Sequence, residues 1–182
     1  MNATSQVNFR LKRSDQALVQ RVAAGDVDAF EALYAAYHLD VYRYARYLLR
    51  DEIAAEDVLQ ETFWAVWRGA AGFRGDATVK AWLLRIAHHQ AVSCWRKQRP
   101  VESLDDEPEQ YERIPDANEC LAWPNEALLA ALDGLTRPHR AVIDLTFYHD
   151  LSQAEIARIM GCSVGTVKSR MHYALKTLRR LM

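Results

Sequence analysis

The chain has 182 residues, of which half are apolar, and its formal net charge is −1 at pH 7. That length suits one medium domain or two small ones, and the apolar share is sufficient for hydrophobic cores. Three cysteines, at positions 94, 120 and 162, cannot all pair in disulfides and lack paired metal-ligand spacing, which indicates a reduced, cytoplasmic protein. No signal-like run opens the chain and no stretch is long enough to cross a membrane, so we predict no membrane insertion.

Charge is segregated along the chain although the total is nearly neutral. The ranges 73–99 and 151–182 each contain six basic residues and one acidic residue. The range 51–61 contains five acidic residues and no basic one, and the range 101–123 contains eight acidic residues and one basic residue. Patches of both signs indicate more than one partner.

The first two predicted elements are helices. Ser14 and Asp15 can cap a helix that runs to Ala24 and ends at Gly25. Asp26 then begins a long helix whose apolar residues recur at helical spacing. These residues are predicted to form core rather than a site: Phe30, Leu33, Tyr34, Tyr37, Val41, Tyr44 and Leu48.

A third helix is predicted from about Ile53 to Arg68. One side of it is predicted to be buried and carries Leu59, Phe63, Val66 and Ala70. Another side carries a single stripe at i, i+3, i+4 and i+7: Asp57, Gln60, Glu61 and Trp64. A polar stripe is commonly only a solvated face, but a tryptophan beside charges is also typical of a binding surface.

The range 69–77 contains three glycines and is predicted to be a loop. The helix that follows, from about Val79 to Lys97, is predicted to turn Leu83, Ile86, Ala87 and Cys94 inward. Its rings and cations occur together: Trp82, Arg85, His88, His89, Trp95 and Arg96. This mixture suits single-stranded nucleic acid, because rings stack on bases while cations follow the backbone. His88 and Cys94 lack a reliable metal-ligand spacing, so no metal or other cofactor is predicted.

The range 100–123 is acidic, contains three prolines and has no sustained period, so it is predicted to be a flexible linker between two domains. Asn125 is predicted to cap a short helix to Leu132, and Thr136 another with Pro138 in its first turn. Core for the second domain is predicted from Val142, Ile143, Leu145, Thr146 and Phe147. No strand pattern occurs, and the fold class is predicted to be all-α, with two small helical domains at 14–99 and 124–182.

The pattern of residues 151–182 predicts a helix-turn-helix, which makes the second domain a four-helix one. Ser152 and Glu155 form a capping-box pair, Gly161 ends that helix, and Ser163 caps a second helix from Val164. The second helix contains no carboxylate, and its outer faces are basic and polar. A basic second helix after a tight turn is typical of a helix that enters the major groove.

Three blocks of the sequence resemble the sigma-70 family of bacterial RNA polymerase initiation factors, in particular the small extracytoplasmic-function (ECF) group. DVLQETF at 57–63 resembles the segment that holds the polymerase clamp. FRGD at 73–76 with AWLLRIA at 81–87 resembles the segment that melts and reads the promoter −10 element. LS at 151–152, EIA at 155–157 and VGTVKSR at 164–170 resemble the helix-turn-helix that reads the −35 element.

The resemblance implies a non-catalytic subunit that binds core RNA polymerase and directs it to promoter DNA, with the acidic linker in the positively charged channel of the polymerase. An anti-sigma factor is an expected further partner. Core-polymerase binding is expected at Asp57, Gln60, Glu61 and Trp64. Contact with the −10 element is expected at Phe73, Arg74, Trp82, Arg85, His88, His89, Trp95 and Arg96. Contact with the −35 element is expected at Thr166, Lys168, Ser169, Arg170, His172, Tyr173 and Lys176.

Two residues depart from the family pattern: His89 stands where Asn is usual, and Tyr173 where Arg is common. Because of these two departures, the family pattern does not predict which promoter sequence the chain recognises. The strongest alternative is a stand-alone helix-turn-helix regulator, which would leave the Asp57–Trp64 stripe without a role. A metal-dependent enzyme built on His88 and His89 is a second alternative, but no paired acid–base residues or nucleophile motif supports it.

Overall fold

The computed structural model of the protein describes residues 14–98, 132 and 134–181. It divides into two compact units that meet in sequence at Lys97 and Gln98. All regular structure in the described ranges is helical, which confirms the predicted all-α class. The predicted linker at 100–123 lies outside the described residues, as does the helix predicted from Asn125, except for Leu132. The domain limits 14–99 and 124–182 therefore stay predictions.

Residues 14–98 form the N-terminal unit from four α-helices and one short 3-10 turn. They are α1 (14–23), α2 (Val27–Leu49), α3 (Glu52–Gly69), the turn Ala70–Gly72 and α4 (Val79–Gln98). Asp26 caps α2 by accepting the backbone N–H of Ala29 at 3.0 Å. That N–H, together with the Arg21 guanidinium at 2.8 Å, holds the pKa of Asp26 below its usual value. Asp51 caps α3 in the same way through the Ala54 N–H, also at 3.0 Å.

The core of the N-terminal unit lies where α2 packs against α3. Leu33, Val41 and Tyr44 of α2 are buried, as are Val58 and Val66 of α3. These residues leave water on one face of each helix, which is the pattern expected of amphipathic helices that share a core. Helix α4 contributes a further buried row, consisting of Leu83, Leu84, Ala87 and Ala91.

Polar contacts attach α1 and α4 to α2. The Tyr37 hydroxyl donates to Asp15 of α1 at 2.6 Å, and burial together with this carboxylate raises the pKa of Tyr37. Lys80 of α4 forms an ion pair with Asp40 at 3.2 Å. The side chains that make these bonds are partly withdrawn from water, and the bonds therefore help to hold α1 and α4 against α2.

Several residues predicted to be buried in this unit are more accessible than expected. Tyr34 is exposed, although its ring packs edge-on against Phe63 with centroids 4.7 Å apart. Leu59 of α3 and Ile86 and Cys94 of α4 are only half-buried. These positions lie at the margins of their apolar faces, where helical spacing alone does not show how far a neighbouring helix extends.

The C-terminal unit contains the predicted helix-turn-helix. Its described helices are α5 (Arg137–Phe147), α6 (Gln153–Met160) and α7 (Val164–Leu181). The predicted capping box is confirmed, since Ser152 Oγ accepts the Glu155 N–H and Glu155 accepts the Ser152 N–H. Gly161 ends α6 with φ at 63°, a left-handed conformation that favours glycine. Ser163 Oγ then accepts the Thr166 N–H at 3.0 Å and caps α7.

Helix α7 packs against both α5 and α6. One cluster of buried residues joins the start of the described unit to α5 and α7, and it consists of Leu132, Leu135, Ile143, Ala174 and Leu178. Phe147 was predicted to belong to this core, and that prediction is wrong: its side chain is 65% exposed. Helix α5 ends at Phe147, and the chain turns back so that Leu151, whose N–H donates to the Leu145 carbonyl at 3.0 Å, is buried instead.

Candidate nucleic-acid interface and docking face

The four predicted docking residues of α3 lie together on its outer face. Asp57, Gln60, Glu61 and Trp64 are all exposed, while Val58 and Val66 on the opposite face are buried. We call these four residues the α3 stripe. Trp64 is 56% exposed, an unusual state for the largest apolar side chain. An exposed tryptophan is a residue type that is enriched at protein–protein interfaces.

Two neighbours of the α3 stripe were missed in the sequence. The guanidinium of Arg68, one turn after Trp64, lies 5.4 Å from the centre of the indole ring. Ile53, one turn before Asp57, is 75% exposed. The sequence did contain a signal for both residues, because Ile53 is four residues before Asp57 and Arg68 is four residues after Trp64, so each continues the α3 stripe by one helical turn.

Helix α4 presents rings and cations on one outer face. Trp82, Arg85, His89 and Arg96 recur at helical spacing, and the last three are exposed. Trp82 is half-buried, and its ring lies 4.9 Å from that of Phe73 in the preceding loop. Arg74 in the same loop is exposed. We call these six residues the α4 face. It brings two adjacent aromatic rings together with four groups that can contact phosphates or bases.

His88 and Trp95 do not lie on the α4 face, although both were predicted to contact nucleic acid. His88 is buried, and its Nδ1 atom forms a 2.7 Å hydrogen bond with the Tyr44 hydroxyl of α2. Trp95 follows two turns later on the same side of the helix and is half-buried. The cause is the helical period, because neighbouring residues such as His88 and His89 point about 100° apart.

Helix α7 carries the predicted groove-reading residues on its exposed side. Lys168, Ser169, His172, Tyr173 and Lys176 are exposed, and we call them the α7 face. Inward-facing Val167, Ala174 and Leu178 are buried, so the packing of α7 fixes which residues face outward.

Local contacts hold several of the α7 side chains. Ser169 Oγ donates to the Thr166 carbonyl at 3.0 Å, and Thr166 Oγ1 lies 2.9 Å from Ser163 Oγ. Arg170 is half-buried and extends towards the turn, with Nη1 3.9 Å from Cys162 Sγ. The Tyr173 ring is close to two imidazoles, with centroids 6.5 Å from His139 and 5.7 Å from His172. Thr166 and Arg170 therefore border the α7 face and contact the turn.

Neither a metal site nor a membrane span is found in the described ranges. No group of three or more His, Cys, Asp or Glu side chains among residues 14–98, 132 and 134–181 is placed to hold an ion. Within those same residues, no helix combines the length and the apolar character needed to cross a bilayer.

Comparison with known proteins gives the family of the chain. Family models match sigma-70 region 2 at residues 33–101 and sigma-70 region 4 at residues 131–180. The chain is 32% identical over 163 residues to the ECF RNA polymerase sigma factor SigX of Bacillus subtilis, covering 85% of this chain and 84% of that protein. It is 36% identical over 168 residues to the ECF sigma factor SigL of Mycobacterium tuberculosis, covering 90% and 94%.

Two solved structures are also similar to this chain. One is CnrH in complex with the cytosolic domain of CnrY, with TM-score 0.66 and 27% identity over 92% of this chain and 96% of that one. The other is RpoE from Bartonella quintana in complex with the anti-sigma factor NepR, with TM-score 0.65 and 26% identity over 84% and 95%. The chain belongs to the ECF group of the sigma-70 family. It is thus a transcription initiation factor that directs RNA polymerase to promoters, and not an enzyme.

Proposed function

We propose that three separate surfaces of the chain carry out promoter-directed initiation. The α3 stripe binds core RNA polymerase, the α4 face binds the −10 element, and the α7 face binds the −35 element. The observation that carries the proposal is the α4 face, where the Phe73 and Trp82 rings, 4.9 Å apart, adjoin the exposed Arg85, His89 and Arg96. Stacking rings beside cations suit a melted strand, because its unpaired bases expose faces on which rings can stack.

At the −10 element, the α4 face has the groups needed to hold a separated strand. Arg74, Arg85 and Arg96 neutralise phosphates, and the Phe73 and Trp82 rings stack on unpaired bases. His89 is exposed next to these groups and can stack on a flipped base or hydrogen-bond to it. His88 is left out of this contact because it is bonded to Tyr44 inside the unit.

At the −35 element, α7 enters the major groove of intact duplex. Lys168 and Lys176 supply charge for phosphates, while Ser169, His172 and Tyr173 carry hydrogen-bonding groups that can reach base edges. Thr166 and Arg170 stabilise the turn that presents the helix, since both contact residues 162–163.

Control of the chain by another protein is supported by the complexes that its relatives form. RpoE of Bartonella quintana is bound to an anti-sigma factor in its solved structure. The α3 stripe of this chain and most of its α4 face are exposed, and so they are available to such a protein. An anti-sigma factor that covers either surface would keep this chain from initiating, and the chain acts in the cytoplasm, where polymerase and promoter are.

Reconstituted transcription tests the function directly. The purified chain is added to core polymerase on a library of promoter fragments, and transcripts are mapped. The expected result is transcripts with defined start sites that appear only when the chain is present. A chain that binds a duplex operator alone and neither binds core polymerase nor starts transcription would contradict the proposal and favour a stand-alone regulator.

A further inference from the structure

Ile53 is the most exposed of the large apolar side chains in the described part of the chain, at 75%. A single exposed apolar residue is common on protein surfaces and by itself indicates nothing. What distinguishes Ile53 from Leu39, which is 54% exposed on α2, is its position. It lies one helical turn before Asp57, on the same face of α3 as the α3 stripe.

The helical period places the whole row on one side of α3. At about 100° per residue, Ile53, Asp57, Gln60, Glu61 and Trp64 fall within an arc of roughly 100°. All five are exposed. At about 1.5 Å per residue, Ile53 and Trp64 are roughly 16 Å apart along the axis. The face is therefore an acidic and polar row with one large apolar side chain at each end.

The exposure of Ile53 does not result from a frayed helix end. Asp51 caps the helix through the Ala54 N–H at 3.0 Å, and Glu52 pairs with Arg46 of α2 at 3.3 Å. Both residues before Ile53 are thus bonded, and Ala54 and Ala55 after it are buried. The first turn of α3 holds the Ile53 side chain outward on a fixed backbone, which lowers the entropic cost of binding a partner.

We propose that Ile53 is an apolar anchor by which the chain binds core RNA polymerase, at the opposite end of the α3 stripe from Trp64. This inference rests on the proposed function of that stripe. Asp57 and Glu61 make the α3 stripe acidic, so the complementary surface is basic. Attraction between such surfaces falls as salt rises, whereas burial of Ile53 and Trp64 does not depend on charge. The two anchors also fix the register of α3 on the polymerase.

Holoenzyme assembly with an Ile53→Ala variant of the full chain tests the proposal. Affinity for core polymerase is measured at about 0.1 M and about 0.5 M salt, across which the screening length falls from about 10 Å to less than half of that. We expect Ile53→Ala to weaken binding roughly tenfold at both salt concentrations. Asp57→Ala is expected to weaken binding mainly at the lower concentration. Leu39→Ala is the matched control and is expected to bind like the unchanged chain.

The outcomes separate this inference from the function on which it rests. Normal binding by Ile53→Ala, with binding lost in an Asp57→Lys, Glu61→Lys double variant, would overturn the role of Ile53 and leave the docking face intact. Normal binding by both variants would overturn the docking face itself. A chain that dimerises, and that Ile53→Ala converts to a monomer without changing polymerase binding, would show that a second copy covers Ile53 and would also overturn the proposal.

Discussion

Helices α4 and α7 belong to segments of equal charge, yet their outer faces differ in chemistry. The ranges 73–99 and 151–182 each contain six basic residues and one acidic residue. On the α4 face, Trp82 is half-buried against Phe73, so that the two rings form a joint surface. On the α7 face, the ring of Tyr173 has the imidazoles of His139 and His172 as neighbours.

The difference shows that net charge indicates nucleic acid as a partner but not its form. Cations neutralise phosphates on either a single strand or a duplex. Paired Phe and Trp rings provide a platform for unstacked bases, while the hydroxyl, imidazole and ammonium groups of the α7 face suit phosphates and the edges of paired bases in a groove. Four substitutions test this distinction, beginning with the largest expected effect.

Of these four substitutions, replacement of Trp82 is expected to have the largest effect, and the effect is on opening of the −10 element. Trp82→Ala removes a stacking surface worth roughly 1–3 kcal/mol per base, so opening of the −10 element should fall by a factor between about five and about one hundred. Chemical reactivity of unpaired thymines in the promoter measures this opening. Trp82→Phe is the control and should retain most of it. Equal loss of −35 duplex binding in Trp82→Ala would mean that the two faces are not separate.

Lys168→Ala is expected to weaken duplex binding by the α7 face through the loss of one phosphate contact. The salt dependence of −35 binding should fall by about one unit in its logarithmic slope. Substitutions of Ser169 or His172 should instead change which sequence is preferred, because we propose that these exposed residues contact base edges. Lys80→Ala serves as the control, since Lys80 belongs to the N-terminal unit and forms an ion pair there with Asp40. An unchanged slope for Lys168→Ala would remove that residue from the interface.

Tyr44→Phe tests how the α4 face is positioned. The hydroxyl that bonds to His88 Nδ1 at 2.7 Å is lost with little change of shape. A buried hydrogen bond of this kind contributes about 1 kcal/mol, so the N-terminal unit should unfold at a slightly lower denaturant concentration. Binding to the −35 duplex should be unaffected. No change in the unfolding of residues 14–98 would show that this bond does not hold α4 to α2.

His89→Asn is expected to have the smallest effect on total activity and to be the most informative about specificity. The side chain is exposed on the α4 face, where it can reach an unpaired base. The substitution should change the preferred base in the −10 element while polymerase binding stays the same. Transcription from a library of −10 variants gives the two preference profiles, and identical profiles would exclude His89 from base recognition.

Features set by neighbours in sequence were predicted well, and features set by distant contacts were not. The capping box joins Ser152 to Glu155, which are only three positions apart in the sequence, and the structure contains it. The all-α fold class and the exposed α3 stripe were likewise predicted from the spacing of apolar and polar residues. By contrast, His88 is bonded to Tyr44, which lies 44 residues earlier in the chain. Helical spacing does place His88 on the same side of α4 as Leu84 and Ala91, both buried, and this local signal, which separates it from the exposed His89, was overlooked.

Helix ends were the second source of error. Phe147 continues an apolar pattern but stands at the last residue of α5, and Leu151 covers the core in its place. Ile53, whose burial was not predicted in either direction, stands in the first turn of α3 and is exposed although its residue type is common in cores. In both cases the burial of a terminal residue depends on how the chain turns next to the helix, and periodicity carries no information about that turn.

The most direct test of the account is core-polymerase binding by the Asp57→Lys, Glu61→Lys double variant. Both residues are exposed on α3, so the reversal should change the free energy of unfolding by no more than about 0.5 kcal/mol per site. Against a basic docking surface it should replace attraction with repulsion costing several kcal/mol. We expect a variant that unfolds at the normal temperature and still binds −35 duplex, but neither binds core polymerase nor starts transcription. A folded double variant that transcribes at the normal rate would contradict the account.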